Sequence, residues 1–216
     1  MIIQSIKKFL YSIHAQRYLS ARRFRLIDHL LDGRLIEPNQ QRKRMLDVGC
    51  SIGKDFVTLL KGREDVEIFG LDLKDYGLRQ KNFHMIVGNA DHIPFPDLHF
   101  DITVSIGVLE HIRPIEKLAK VTKEIVRVSK SYVVIVPSLS TIIEPHVSLF
   151  FWQLRDSNRK PIYPGTLIYM NDEAWLAFAS FEGAKTHRYW QIPPLIANLF
   201  IYKTPARPNK KAKATW

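Results

Sequence analysis

The segment Met45–Lys54, MLDVGCSIGK, places an acidic residue and several small residues directly after an apolar run. Asp47 precedes Gly49, and Ser51 and Gly53 follow at alternate positions. Such a chain can leave a strand through a tight turn and present its backbone closely to a ligand, because glycine has no Cβ and tolerates positive φ. The segment therefore predicts a binding turn for a nucleotide-like ligand.

Two phosphate-binding motifs share this general pattern, and the residue spacing disfavours both. The dinucleotide fingerprint needs glycine at the positions of Gly49, Ser51 and Lys54, of which only the first matches. A P-loop needs four residues between its glycines, then Lys and a Ser or Thr. Here three residues separate Gly49 from Gly53, and Asp55 follows Lys54. A ligand without phosphate fits this turn better.

A second acidic residue, Asp72, closes the next apolar run and lies 19 residues beyond Gly53. A carboxylate at that place can accept hydrogen bonds from both ribose hydroxyls of an adenosyl ligand. The turn and Asp72 together favour an adenosyl ligand that carries a positive sulfonium in place of phosphate.

Short apolar runs that alternate with helical patterns must position these residues. The predicted strands are 45–49, 66–71, 83–87, 100–106 and 131–136, and the predicted helices are about 53–61, 75–81 and 107–129. Strands that alternate with helices indicate a parallel sheet with right-handed crossovers. Two further strands, 184–190 and 197–203, are only six residues apart, so they should pair antiparallel. The predicted fold is a doubly wound, mostly parallel seven-stranded α/β sheet with an antiparallel C-terminal strand pair.

The chain divides into three parts. Residues 1–40 predict basic amphipathic helices, the second of them beginning near Ser20 as its cap and ending at Asp32-Gly33. Residues 41–203 form the main domain, with an aromatic insertion at about 138–170 and a later helix capped by Asn171. Residues 204–216 are a basic tail that we expect to be disordered.

The formal charge of +11 is concentrated at the two ends of the chain. Residues 1–44 carry ten Lys and Arg against three Asp and Glu, and residues 203–216 carry five against none. The N-terminal helices either pack on the domain or lie on an anionic membrane surface, and contact with RNA is the less favoured alternative. The only cysteine, Cys50, cannot form an internal disulfide, which predicts a reducing, cytoplasmic environment.

Five segments of the chain resemble, in their order and spacing, the class I S-adenosylmethionine-dependent methyltransferases of the type 11 group. These segments are LDVGCSIG, GLDL, VGNADHIPFPDLHFD, VSIGVLEHI and EIVRVSKSYVVIVP. The match spans about 45–137 and implies a Rossmann-like methyltransferase fold with S-adenosylmethionine as cofactor. The chain departs from the usual family pattern at Ser51, where glycine is common, and at Asn89, where aspartate is common.

The resemblance implies cofactor-binding roles for one set of residues: Asp47, Gly49, Cys50, Ser51 and Gly53 beside the methionine part, Asp72 and Leu73 at the ribose and adenine, Asn89, Ala90 and Asp91 at the adenine, and Ser105, Gly107 and Leu109 on the sulfonium side. His111 follows the fourth strand and is a candidate general base, since histidine titrates near neutral pH; the alternative is a structural role. His146, Trp152 and Tyr163 are candidate substrate-binding residues, or part of an aromatic core. No His, Cys, Asp and Glu spacing suggests a metal site.

Three functions are compatible with these features. The first is a methyltransferase for a small-molecule or lipid-like acceptor, with possible peripheral contact to an anionic membrane. The second is an RNA or protein methyltransferase, which the neutral centre of the chain disfavours. The third is an S-adenosylmethionine-binding protein without catalysis, since no base is certain.

Overall fold

A computed structural model describes residues 13–35, 42–53, 56–142, 167–168 and 170–205. Within this described part, seven strands form one sheet in the order β3-β2-β1-β4-β5-β7-β6. The strands are β1 Lys43–Val48, β2 Val66–Asp72, β3 Phe83–Val87, β4 Phe100–Ile106, β5 Ser129–Pro137, β6 Lys185–Ile192 and β7 Ile196–Lys203. The helices are α1 Ile13–Leu30, α2 Phe56–Leu59, α3 Ile115–Arg127 and α4 Asp172–Leu176, with 3-10 helices at Leu109–His111 and Ala179–Phe181.

The strand pairing confirms the predicted fold. β1 pairs parallel with both β2 and β4, β2 pairs parallel with β3, and β4 pairs parallel with β5. β7 pairs antiparallel with both β5 and β6, as the short connection between the last two strands requires. The order reverses between β1 and β4, and an open parallel sheet binds its ligand at such a switch point, beyond the carboxyl ends of the strands.

The central strands β1, β4, β5 and β7 are largely buried on both faces, so their sequences are nearly continuous apolar runs. On one face, Leu46 and Val134 pack with α3 and with the fully buried Trp175 of α4. On the other face, Met45 and Val133 pack with α1 and α2. Neighbouring strand residues therefore belong to opposite halves of the core, as the period of two in a β-strand requires.

Helix α1 uses its apolar face to cover the sheet. Ile27 and the adjoining Leu31 are fully buried, and the ring of Phe24 lies 5.5 Å from that of Phe56, centroid to centroid. For this helix the prediction of packing on the domain is confirmed. Arg17 and Arg25 of the same helix remain exposed. None of the helices in the described ranges is both long and apolar enough to cross a membrane.

Two local predictions were wrong. Ser20 does not cap a helix, because α1 begins at Ile13 and Ser20 lies within it. Residues 75–81 do not form a helix: the Asp75 carboxylate accepts the backbone N–H of Gly77 at 2.7 Å, and Gly77 has a φ of 75°. An aspartate that bonds to a backbone N–H two residues ahead stabilises a turn in competition with a helix.

Several predicted features lie outside the described residues. These are the first N-terminal helix, most of the aromatic insertion, the basic tail after residue 205, and the start of the helix predicted at 53–61. In the insertion, Thr141 is described and exchanges two hydrogen bonds with Ala197, which attach this part of the chain to β7.

Arg127, the last residue of α3, holds the loop before β4. Its guanidinium donates to the backbone oxygens of Ile93 at 3.0 Å and Phe95 at 2.8 Å, and it forms ion pairs with Asp97 and Glu124. Glu124 in turn accepts the backbone N–H of Ile93 at 2.8 Å. The hydrogen bond from Arg127 is the main cause that lowers the pKa of Glu124 below its usual value, and the same pair raises the pKa of Arg127.

We expect Arg127→Ala to lower the free energy of unfolding by about 2–4 kcal/mol, because it leaves the largely buried Glu124 carboxylate and two loop carbonyls without their donor. Arg79→Ala is the matched control, since its ion pair with Asp75 is exposed and should contribute less than about 1 kcal/mol. Urea unfolding at pH 7 measures both. The contribution of Arg127 to the free energy of unfolding is fully present above the ordinary pKa of glutamate. It is lost as the pH falls through the lowered pKa of Glu124. Equal losses in the two variants would contradict this role.

Candidate functional site

The candidate site lies where β1, β2 and β4 end. Val48 is opposite Leu71 on one side and Ser105 on the other, so the segments that follow these strands meet at one edge of the sheet. A cavity of about 580 Å³ opens there. Its lining residues are Val48, Gly49, Ser51, Leu71, Asp72, Leu73, Tyr76, Gly88, Asn89, Ala90, Gly107, Val108, His111, Ile112, Arg113 and Lys117.

The turn after β1 is shaped by close contact with the segment after β4. Gly49 has a φ of 77°, and a Cβ built there would lie 2.3 Å from Cγ2 of Val108. Its N–H donates to the backbone oxygen of Leu71 at 2.7 Å, which extends the contact with β2 past the end of β1. Only glycine satisfies both the left-handed backbone and the contact with Val108.

Asp72 connects this turn to the end of β2. One carboxylate oxygen accepts the N–H of Ser51 at 2.9 Å, and the other accepts the N–H of Leu73 at 2.7 Å. Each carboxylate oxygen has two acceptor sites, so both oxygens can accept a further donor from a ligand. Asp72 thus orients the turn and also exposes acceptor capacity to the cavity.

Eight of the predicted cofactor and catalytic residues line the cavity together: Gly49, Ser51, Asp72, Leu73, Asn89, Ala90, Gly107 and His111. They come from the segments that follow β1, β2, β3 and β4, which are distant in sequence. The topology therefore brings together most of the residues that the motifs predicted, although their roles toward a ligand stay predictions.

The other predicted cofactor residues do not line the cavity. The Leu109 side chain is fully buried in the core, because the 3-10 helix turns it inward. Asp47 and Ser105 are buried within their strands, and Asp91 lies 3.8 Å from the Lys117 ammonium. Gly53 supports the turn from behind, since a Cβ there would approach Val57 and Leu78 to 2.9 Å.

Cys50 also faces the core. Its Sγ lies 3.9 Å from the sulfur of Met85 and would be 2.7 Å from a Cβ at Gly70. Burial, with Asp47 and Asp72 as further causes, raises the pKa of the thiol to about 12. The thiol is therefore protonated at neutral pH and unsuited to nucleophilic chemistry, which leaves only the Cys50 backbone to contact a ligand.

The predicted site residues omit half of the described residues that line the cavity. Val48, Leu71, Gly88, Val108 and Ile112 adjoin predicted residues, and their exposure to the cavity follows from strand register, which sequence alone does not show. Tyr76, Arg113 and Lys117 reach the cavity from loops and from the first turn of α3. Arg113 and Lys117 follow the VLEHI segment, and these basic residues were the sequence feature that could have indicated this part of the cavity wall. His146, Trp152 and Tyr163 lie outside the described residues.

Ser51 has a φ of 48°, a left-handed conformation that is unfavourable for a residue with a Cβ. We expect Ser51→Gly to raise the free energy of unfolding by about 0.5–1 kcal/mol, which is the relief of strain less the greater entropy of glycine in the unfolded chain. Ser51→Ala is the control, because it removes the hydroxyl and keeps the Cβ. Urea unfolding of the three proteins tests this expectation, and a less stable Ser51→Gly variant would contradict it.

Residues 46–136 match the methyltransferase domain family of type 11. The chain is 32% identical over 107 residues to ajmaline N-methyltransferase of Rauvolfia serpentina, an alignment that covers 44% of this chain and 35% of that protein. The chain thus spans about a third of the length of the Rauvolfia serpentina relatives that it matches.

Solved structures share the fold at low sequence identity. An S-adenosylmethionine-dependent methyltransferase of Methanosarcina mazei superposes with a TM-score of 0.53 at 16% identity, covering 77% of this chain and 94% of that one. The N-terminal domain of EvdMO1, solved with S-adenosylhomocysteine bound, gives a TM-score of 0.55 at 17% identity and covers 90% and 85% of the two chains.

The match over residues 46–136 covers β1 to β5, and with them every segment that forms the wall of the cavity. The fold with its seven-stranded sheet is similar to that of the solved methyltransferases. Residues 46–136 are therefore similar to the methyltransferase domain family of type 11, and the fold of the chain is the Rossmann-like fold of S-adenosylmethionine-dependent methyltransferases.

Proposed function

We propose that this protein transfers a methyl group from S-adenosylmethionine to a small-molecule acceptor. The observation that carries the proposal is the position of Asp72, whose carboxylate lies at the cavity between the turn after β1 and the end of β2. A carboxylate in that place suits the two ribose hydroxyls of an adenosyl ligand.

The residues of the cavity fit this cofactor. A volume of about 580 Å³ is within the range of about 300–1,000 Å³ that is typical of small-molecule sites. Leu73 and Ala90 supply apolar surface beside Asp72, and Asn89 supplies amide groups for hydrogen bonds to an adenine edge. Gly49 and Ser51, the described residues of the turn after β1 that line the cavity, carry no charged side chain, which suits a ligand without phosphate.

When bound, S-adenosylmethionine supplies an electrophilic methyl group on a sulfonium. The chain's own contribution is then mainly alignment of donor and acceptor, which can lower a barrier by roughly 7–11 kcal/mol. The turn after β1 and Gly107 after β4 both form part of the cavity wall. A base is needed only where the acceptor atom arrives protonated, and His111 at the cavity wall is the residue we propose for it.

A small acceptor is supported by the relative that is named ajmaline N-methyltransferase, whose name specifies transfer to a nitrogen atom. The cavity is lined by residues from the chain's own loops, and Leu73 and His111 in its wall are exposed. These features favour a compact organic acceptor over a folded macromolecule.

We expect Asp72→Ala to weaken S-adenosylmethionine binding at least tenfold, because two charge-assisted hydrogen bonds are lost and each contributes about 1.5–3 kcal/mol. Asp72→Asn should lose less, since one amide oxygen still accepts. Asp75→Ala is the matched control, because Asp75 pairs with Arg79 and does not line the cavity. Isothermal titration calorimetry measures all four proteins. Undiminished binding by Asp72→Ala would contradict the proposed function.

Peripheral contact with an anionic membrane is a separate proposal. It is supported by the excess of Lys and Arg in residues 1–44 and by the exposed Arg17 and Arg25 of α1. Since the apolar face of α1 is used by the core, the contact of this helix would be electrostatic.

Sedimentation with vesicles tests the membrane proposal. We expect the full chain to be retained by vesicles that contain phosphatidylserine and not by pure phosphatidylcholine vesicles. Retention should fall at 0.5 M salt because the surface charges are screened beyond about 4–5 Å. A chain that never sediments with the anionic vesicles would contradict the proposal.

A further inference from the structure

A second cleft adjoins the candidate cofactor cavity. It has a volume of about 540 Å³ and is lined by Arg113, Pro114, Ile115 and Ile168. Arg113 also lines the cofactor cavity, so this one side chain forms part of the wall of both. Any molecule that occupies the second cleft lies beside the place where S-adenosylmethionine is proposed to bind.

The cleft is attached to the site by specific contacts. Pro114 is the residue before α3, and Ile115 is its first residue. The opposite side is fixed because the N–H of Ile168 donates to the backbone oxygen of Glu110 at 2.7 Å, and the Arg113 guanidinium donates to the backbone oxygen of Leu167. The cleft thus lies between the segment after β4 and a segment that is distant in sequence.

Among the described residues, the lining of the cleft consists of one cation and an apolar surface. Pro114, Ile115 and Ile168 offer only hydrocarbon, and Ile115 is 45% exposed although it is a large apolar residue. Within the described residues, Arg113 forms no ion pair with a carboxylate, whereas Lys117 in the first turn of α3 pairs with Asp91. A guanidinium has five N–H donors, so the bond to Leu167 leaves donors for an anion.

We propose that this cleft binds the methyl acceptor and that the acceptor is a small organic anion with an apolar body. The apolar body covers Ile115 and Ile168, and the anionic group, a carboxylate or sulfonate for example, pairs with Arg113. This inference rests on the proposed function, since it names the acceptor class for the same site. Burial of the exposed isoleucine supplies affinity, and the guanidinium supplies orientation and selects against neutral molecules.

Two fluorescent probes that differ in charge test the inference. They are 8-anilinonaphthalene-1-sulfonate and its neutral counterpart N-phenyl-1-naphthylamine, each titrated with 1 mM S-adenosylhomocysteine present to fill the cofactor cavity. We expect Arg113→Gln to weaken binding of the sulfonate at least tenfold and binding of the neutral probe less than twofold. Arg113→Lys should retain most of the sulfonate affinity, and Ile115→Ser should weaken both probes.

Arg79→Gln is the matched control, because Arg79 is exposed and lines neither cavity. The inference is overturned if Arg113→Gln binds the sulfonate as wild type does, if Arg79→Gln loses as much, or if S-adenosylhomocysteine displaces the probe. Calorimetric titration of S-adenosylhomocysteine into the same proteins distinguishes a failure of this inference from a failure of the proposed function. Binding of that ligand without charge-dependent probe binding defeats this inference alone, whereas its failure to bind to wild type defeats the proposed function.

Discussion

The Asp72 carboxylate is the interaction on which the candidate site depends. It accepts the N–H groups of Ser51 and Leu73, and so it joins the turn after β1 to the end of β2. This hydrogen bond to the Ser51 N–H stabilises the left-handed conformation of Ser51, which is otherwise unfavourable for a residue with a Cβ. The same carboxylate lines the cavity, so the turn and the proposed ribose site depend on one side chain.

Close packing behind the cavity leaves the turn little freedom. Gly49 contacts Val108 on the β4 side, while Gly70 in β2 makes room for the Cys50 sulfur and for the ring of Phe83. A Cβ at either glycine would come within 3.0 Å of a neighbouring side chain. The site is therefore preorganised by steric contact with the core, and this preorganisation reduces the ordering that a ligand must impose.

Features that depend on neighbouring residues could be predicted from the sequence, whereas features that depend on contacts between distant segments could not. The strands were recognisable because buried parallel strands are continuous apolar runs, and the binding turn was recognisable because its small residues are contiguous. The prediction of a helix at 75–81 was wrong because a single hydrogen bond from the Gly77 N–H to the Asp75 carboxylate outweighs a weak helical pattern. Arg113 and Lys117 could not be assigned to the cavity, since their exposure depends on where α3 begins relative to β4. Cys50 and Leu109 matched the family motif in sequence, yet their side chains face the core.

The arrangement around α3 links the stability of the fold to the site. Its first turn contributes Ile115 and Lys117 to the two cavities, and its last residue, Arg127, holds the loop of Ile93 and Phe95 that follows the adenine-side residues. A helix fixed at both ends in this way transmits a displacement of the loop to the wall of the second cleft, because packed interiors transmit strain. The loop and the second cleft lie at opposite ends of α3, and the same helix sets the position of both. For this reason, substitutions that loosen the Arg127 contacts should alter binding at the cleft as well as the stability of the fold.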